Sequence, residues 1–315
     1  MKTGSGSSGA RGALSAMTNG WFWLRFGLAL TSRAFPGLAA WLLHGIYSRP
    51  ALTRYYTRSE RALLREAAML LSGAERLDTR VKTGRRAGLL RAYRFRACGE
   101  TRGLVLLLHG WTADSRAMAG FVAPLVEAGY DALAVDLPAH GGSSGLVTDA
   151  ESGAAAVRTM LTERGLAPDH VIAHSFGGAV ASVLAGAGIT PRAYVSLSAP
   201  TAMTAALEEL AKAFALAPAA RTRLLARARR AAGKPLHEYD VQRIWRARAS
   251  SILALHAPED ESVSFSHAER WRGLPNARLS LAHGVGHREI VFHEDSVAAA
   301  LAHILHVDRT GGAAA

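Results

Sequence analysis

Residues 103–108 read Gly-Leu-Val-Leu-Leu-Leu and end directly in His109-Gly110-Trp111. An aliphatic run with no polar face can be a strand only if both its sides are covered, which is the situation of a parallel strand between layers of helices. Ser251 to His256 repeats the pattern and opens into Ala257-Pro258-Glu259-Asp260-Glu261-Ser262-Val263. Val171-Ile172 leads through Ala173-His174-Ser175-Phe176-Gly177 into a small-residue stretch from Gly178 to Gly188. Further strands are expected near Thr79–Lys82, Leu89–Arg96, Asp131–Val135, Ala193–Leu197 and Ala277–Ala282, the first two separated by a turn at Thr83-Gly84-Arg85-Arg86. The chain therefore reads as α/β.

Strand, tight turn carrying a serine, then helix is a chemically loaded order. A serine there sits on a strained bend with its hydroxyl held out of the sheet, and the backbone N–H that follows can face a developing oxyanion. The pattern is G-x-S-x-G with Ala173 in the first glycine's place. Alone, the pentapeptide is equally an ordinary strand-to-helix turn. The remainder of the chain adds to it in order: a strand ending in Gly110-Trp111, an acidic loop after a later strand, and His283-Gly284-Val285-Gly286-His287 after the last one.

Together these residues resemble the α/β-hydrolase superfamily, and more closely its bacterial serine-hydrolase and esterase-like members with an Ala-His-Ser-Phe-Gly-Gly turn. The resemblance covers roughly residues 78 to 307. It implies an α/β-hydrolase fold, a mostly parallel central sheet flanked by helices with a short helical lid, to which the residues before it add an N-terminal helical extension. It makes Ser175 the nucleophile, His287 the general base and acid, Asp260 the orienting carboxylate, and the N–H groups of Trp111 and Phe176 the oxyanion hole, with Ala173, Gly177 and Gly110 setting the loop geometry. It implies a carboxylic-ester hydrolase acting on a small-molecule ester or acyl substrate, with no cofactor and no metal. Thioesterase, lysophospholipase and acyltransferase use the same triad, and a silent ligand-binding relative keeps the same fold. The loop Asp136-Leu137-Pro138-Ala139-His140-Gly141-Gly142-Ser143 resembles the one after the superfamily's fourth strand.

Rival residues stand close by. His109, His140, His174, His256 and His283 lie beside expected strand ends, where a histidine bonded to loop backbone is the plainer expectation. Glu259 and Glu261 flank Asp260. His293, Glu294, His303 and His306 fall on the expected last helix, which reads as a solvated face rather than a metal site.

Composition bounds the rest. The 315 residues with 49% hydrophobic content suit one large α/β domain plus an accessory segment. The single cysteine, Cys98, excludes an intramolecular disulfide and leaves a cytoplasmic protein as the default. The net charge of +12 comes mainly from arginine, and no zinc, helix-turn-helix or aromatic-interleaved basic motif accompanies it, so no nucleic-acid partner is expected.

Residues 1–20 read as a disordered or vector-derived extension, with Met17 a candidate native start. Residues 21–75 read as a helical extension, 76–310 as the hydrolase domain with its lid at about 200–249, and 311–315 as a disordered tail. Trp21 to Tyr47 is apolar and aromatic, but Arg25, Arg33 and Pro36 interrupt it well short of the ~18–20 residues a membrane span needs. Trp21, Trp23, Phe26 and Trp41 are expected to pack on the hydrolase domain or lid; peripheral membrane contact through 21–47 is the alternative. Thr57-Arg58-Ser59-Glu60 reads as a capping box opening a helix to about Leu71.

Overall fold

The computed structural model describes residues 8–53, 57–83 and 86–311. In chain order, α1 (Ser8–Ala34), α2 (Pro36–Tyr47), the single turn α3 (Pro50–Thr53) and α4 (Arg58–Ser72) precede β1 (Glu75–Thr83) and β2 (Arg86–Phe95). There follow β3 (Leu104–Leu108), α5 (Val122–Glu127), β4 (Asp131–Asp136), α6 (Ala150–Glu163), β5 (His170–His174), α7 (Phe176–Gly186) and β6 (Ala193–Leu197). The chain ends with α8 (Met203–Ala213), α9 (Pro218–Ala232), α10 (Val241–Trp245), β7 (Ser251–His256), α11 (Phe265–Glu269), β8 (Ala277–Leu281) and α12 (Glu294–Thr310). It divides into two compact units, one of Met1–Ile46 with Thr204–Pro235 and one of Tyr47–Met203 with Leu236–Ala315.

The larger unit holds an eight-stranded sheet in the order β1-β2-β4-β3-β5-β6-β7-β8. The β1/β2 and β2/β4 pairings are antiparallel and every other pairing is parallel. Every residue of β3, β4, β5, β6 and β7 is buried, as the unbroken aliphatic runs require. Alternate residues then serve opposite faces. Val105, Leu107, Ala132, Ala134, Ile172, Val195 and Leu253 meet Met118, Phe121, Leu125, Ile304 and Val307 in one continuous core, while α6 and α7 pack together on the other side. Full burial of one such aliphatic side chain stabilises by about 1.5–3 kcal/mol.

Local signals act as their chemistry dictates. At the start of α4, the Glu60 N–H donates to Thr57 Oγ1 (3.2 Å) and the Thr57 N–H donates to Glu60 Oε2 (2.6 Å), the reciprocal capping box. Gly311 ends α12 at φ +64°. The turn residues 84–85 and the tail 312–315 lie outside the described residues.

Residues 236–249 belong to the larger unit, so the compact insertion between β6 and β7 is shorter than the stretch 200–249 suggested. Trp245 explains the boundary: it is fully buried, stacks on Tyr194 with 4.4 Å between ring centroids, and its Nε1–H donates to Ser182 Oγ at 3.0 Å. Likewise 47–53 and 57–72 cluster with the sheet rather than with 21–46.

In the smaller unit, α1 packs against α9. The helix α1 begins at Ser8, inside the stretch expected to lack structure, because alanine, leucine, methionine and arginine are good helix formers; residues 1–7 lie outside the described residues. Leu28 and Ser32 are buried, Trp21 meets Phe214 edge-on at 6.1 Å, and Ser32 Oγ accepts the Ala217 N–H at 2.9 Å where α9 begins. Trp23, Phe26 and Trp41, expected to pack down, are instead exposed. From Trp21 onward α1 is apolar on both sides, and the side that carries Trp21, Leu28 and Ser32 is the one that meets Phe214 and Ala217.

Candidate active site

The chain order reverses at β3, which has β4 on one side and β5 on the other. The crevice beyond the strand C-termini at such a reversal is where open α/β sheets bind ligands. The loop after β3 brings Gly110 and Trp111 there, and the turn after β5 brings Ser175. At Ser175 the backbone has φ +50° and ψ −117°, a bend that costs a residue with a Cβ on the order of 1–3 kcal/mol. The Ser175 N–H donates to the Leu197 carbonyl at 2.9 Å, and the Gly178 N–H donates to the Ser175 carbonyl at 2.9 Å, so the turn is fixed from both sides.

Two glycines make this approach feasible. A Cβ at Gly177 would stand 2.4 Å from the Leu108 carbonyl oxygen, and one at Gly110 would stand 2.6 Å from His174 Nδ1 and 3.1 Å from Ser175 Cβ. Ala173, at the head of the pentapeptide, is wholly buried in β5.

Asp260 lies in the loop after β7 with its side chain 1% exposed. Its Oδ1 accepts the N–H groups of Ser262 and Val263, each at 2.8 Å, and its Oδ2 lies 2.6 Å from His287 Nδ1. Burial alone would raise this carboxyl; the hydrogen bond and charge of His287, with the two backbone donors, more than offset it and hold it below the usual carboxylate range. An ionised carboxylate can only accept, so the His287 proton sits on Nδ1 and the Nε2 lone pair is left for Ser175 Oγ, 2.9 Å away. Three residues separated by up to 112 positions thus form one hydrogen-bonded line. Glu259 and Glu261 are exposed at either side of Asp260.

The other strand-end histidines bond backbone, with the exception of His283, which is exposed. His109 donates from Nδ1 to the Gly110 carbonyl (2.8 Å) and accepts the Leu137 N–H at Nε2 (3.0 Å). His140 donates to the Pro138 carbonyl (3.0 Å) and accepts the Thr112 N–H (3.3 Å), so it steadies the loop that carries Trp111. His256 donates from Nε2 to the Val263 carbonyl at 3.1 Å, and burial pushes its imidazole below the ordinary value. The Trp111 and Phe176 rings stand edge-on at 4.9 Å. Phe176 opens α7, so its N–H has no carbonyl within the helix to bond.

Further groups brace the site, and the sequence named His174 and Asp136 without naming their partners. His174 donates from Nε2 to the His287 carbonyl at 2.8 Å, and burial, reinforced by the nearby His287, pushes its imidazole down to about 3. The Gly286 N–H donates to Glu289 Oε2 at 2.8 Å, and Arg288 Nε pairs with Glu60 Oε1 at 2.9 Å, tying the His287 loop to α4. Asp136 accepts the Ser115 N–H (2.8 Å) and the Gly142 N–H (2.7 Å), joining the loops after β3 and β4. Apart from Glu289 with Gly286 and Asp136 with Gly142, which are local, these contacts join distant positions. Among the described residues no group of three or more His, Cys, Asp or Glu could hold a metal ion. His303 in α12 is half-buried and donates to the Ser251 carbonyl at 3.1 Å rather than facing solvent.

No curated protein matches the sequence. Among solved structures, the fold is similar to a membrane phospholipase A described as a bacterial virulence factor, at 18% identity and a TM-score of 0.57, covering 78% of this chain and 92% of that one. It is similar to a thermophilic esterase from Thermogutta terrifontis, at 16% identity and a TM-score of 0.57 over 75% of this chain and 99% of that one. It is also similar to a bromoperoxidase from Bacillus anthracis, at 17% identity and a TM-score of 0.54 over 73% of this chain and 100% of that one. At such identities these likenesses speak for the fold alone. The sequence itself matches the model of the alpha/beta hydrolase family over residues 105–311, from β3 through α12, and the chain belongs to that family.

Proposed function

We propose that the protein is a serine hydrolase that cleaves carboxylic esters through an acyl-enzyme. The observation that carries this reading is the line from Ser175 Oγ to His287 Nε2 (2.9 Å) and from His287 Nδ1 to Asp260 Oδ2 (2.6 Å). A serine hydroxyl is a poor nucleophile at neutral pH, so its proton must leave as the carbonyl is attacked. His287 takes that proton on Nε2, and Asp260 steadies the imidazolium so formed. The negative oxygen of the tetrahedral intermediate would lie between the N–H groups of Phe176 and Trp111; loss of one such donor costs about 3–4 kcal/mol of barrier. His287 then protonates the leaving alkoxide, and water repeats the sequence in reverse to free the acid.

Family membership supports hydrolase chemistry, and the esterase and phospholipase descriptions of two similar folds agree with an ester substrate. A fluorophosphonate probe tests the nucleophile, and p-nitrophenyl esters of graded chain length test the substrate class. The parent chain should label and hydrolyse, Ser175→Ala should do neither while melting as the parent does, and His287→Ala should lose on the order of a thousand-fold in kcat. Stoichiometric labelling of Ser175→Ala would misplace the nucleophile. Failure of the parent to label or turn over any ester would leave a silent ligand-binding relative.

A further inference from the structure

We propose that the outward face of α1 and α2 docks on an anionic phospholipid surface. The geometry begins with two opposed stripes on α1. Leu28 and Ser32 form the packed stripe, while Phe22, Phe26 and Leu30 follow one another at i, i+4, i+8 on the opposite side, with Trp23 beside them. These four are 58%, 48%, 53% and 64% exposed in the order Phe22, Phe26, Leu30, Trp23. The three rings touch one another: Phe22 stacks on Phe26 at 6.3 Å, and Trp23 meets both edge-on at 5.4 and 6.0 Å. Phe35, just before Pro36, and Leu38 and Trp41 on α2 are exposed as well, while Ala39, Ala40 and Leu43 are buried.

Large apolar and aromatic side chains clustered at the surface in this way mark an interaction surface. Its composition selects the occupant. Tryptophan and phenylalanine flanked by arginine are what the boundary between headgroups and acyl chains accepts, the helix lying in the plane with its apolar face about 5–10 Å deep. The charge points the same way. Seven Lys and Arg residues and no Asp or Glu precede Glu60, and the whole smaller unit carries eleven Lys and Arg against two Glu. Exposed Arg25 and Arg33 lie on α1 itself, and the Arg223 side chain comes within 3.8 Å of where a Cβ on Gly37 would sit, beside Leu38. A second copy of the chain would bring like charge against like charge, whereas an anionic bilayer supplies the complement. The face lies on the surface rather than across it, since among the described residues no helix is long and apolar enough to cross a membrane.

The test is flotation of the full chain with vesicles of phosphatidylglycerol and phosphatidylcholine, against vesicles of phosphatidylcholine alone. The parent should float with the anionic vesicles only. The double variant Trp23→Ser/Phe26→Ser should lose at least about tenfold in partitioning, since each removes an aromatic group from an apolar environment. Its melting temperature should match the parent, because both side chains are exposed. Recovery at the bottom of the gradient with both vesicle types, equal flotation with phosphatidylcholine alone, or equal flotation of parent and variant would each overturn the proposal. So would a parent dimer in sedimentation velocity that the double variant dissolves without any vesicle binding, which would give the face to a second copy.

Discussion

His174 shows how a residue outside the reacting line can still set its geometry. Its neutral ring donates one hydrogen bond to the carbonyl of His287 and sits against Gly110 and Ser175, so it touches the parts that must be aligned without touching the proton that moves. His174→Phe keeps a flat ring but no donor. It should lower kcat about tenfold with KM unchanged, the weight of one hydrogen bond of about 1–1.5 kcal/mol expressed in a barrier, and His174→Gln, which retains an N–H, should recover most of the rate. A fall in KM-limited binding with kcat intact would assign the ring to substrate contact. The sequence places His174 beside Ser175 but says nothing of its partner, 113 positions away. Ser175, Asp260 and His287 were legible because each follows an apolar strand run and opens a small-residue or acidic loop. His174, Glu60 and Arg288 were not, because the contacts that matter there join residues with no local pattern in common.

At the scale of elements, the sheet was legible and its fastening was not. Leu104–Leu108 and Ser251–His256 announce buried strands by having no polar face, and Thr57 with Glu60 announces the start of α4 by its capping chemistry. The docking of α12 could not be read this way. Its last turn presents Asp308 to the N-terminal ends of three strands: Tyr130 OH, just before β4, donates to Oδ2 at 2.5 Å, Arg192, just before β6, pairs with Oδ1 at 2.8 Å, and Nε2 of His170, the first residue of β5, lies 3.1 Å from Oδ1. Removing one partner from so enclosed a charged group leaves the others unmatched, so Asp308→Ala should cost about 3 kcal/mol in urea unfolding. A loss under about 0.5 kcal/mol would mean that apolar packing of Ile304 and Val307 alone secures the helix. The N-terminal helices failed to be legible for a different reason. Hydrophobicity says that a side chain shuns water, and on α1 it says so for both sides of one helix, so it cannot choose which stripe the fold buries.

For the whole molecule, buried histidines set the response to acid. Burial pushes His170, His174, His256 and His303 below the ordinary imidazole value. The unfolded chain therefore binds protons first, so this stability is complete above about pH 6.5 and drains away as the pH falls. His174 alone accounts for about 2 kcal/mol between pH 7 and 5, given its value of about 3. Asp78, Asp131 and Asp260, held below their usual range, add a second loss below about pH 4. The melting temperature should fall from pH 7 to 5, and His303→Gln, which keeps a donor for Ser251, should flatten that slope. A melting temperature constant over the interval would show that these rings titrate alike in folded and unfolded chains.

The bond between Ser32 and Ala217 spans 185 positions and sets a clock on synthesis. A ribosome adds about 5–20 residues per second, so the inner stripe of α1 waits roughly 10–40 s after emergence before its partner exists. During that time both stripes of the helix face water at once, and the nascent chain is a client for whatever holds aromatic helices apart in the cell.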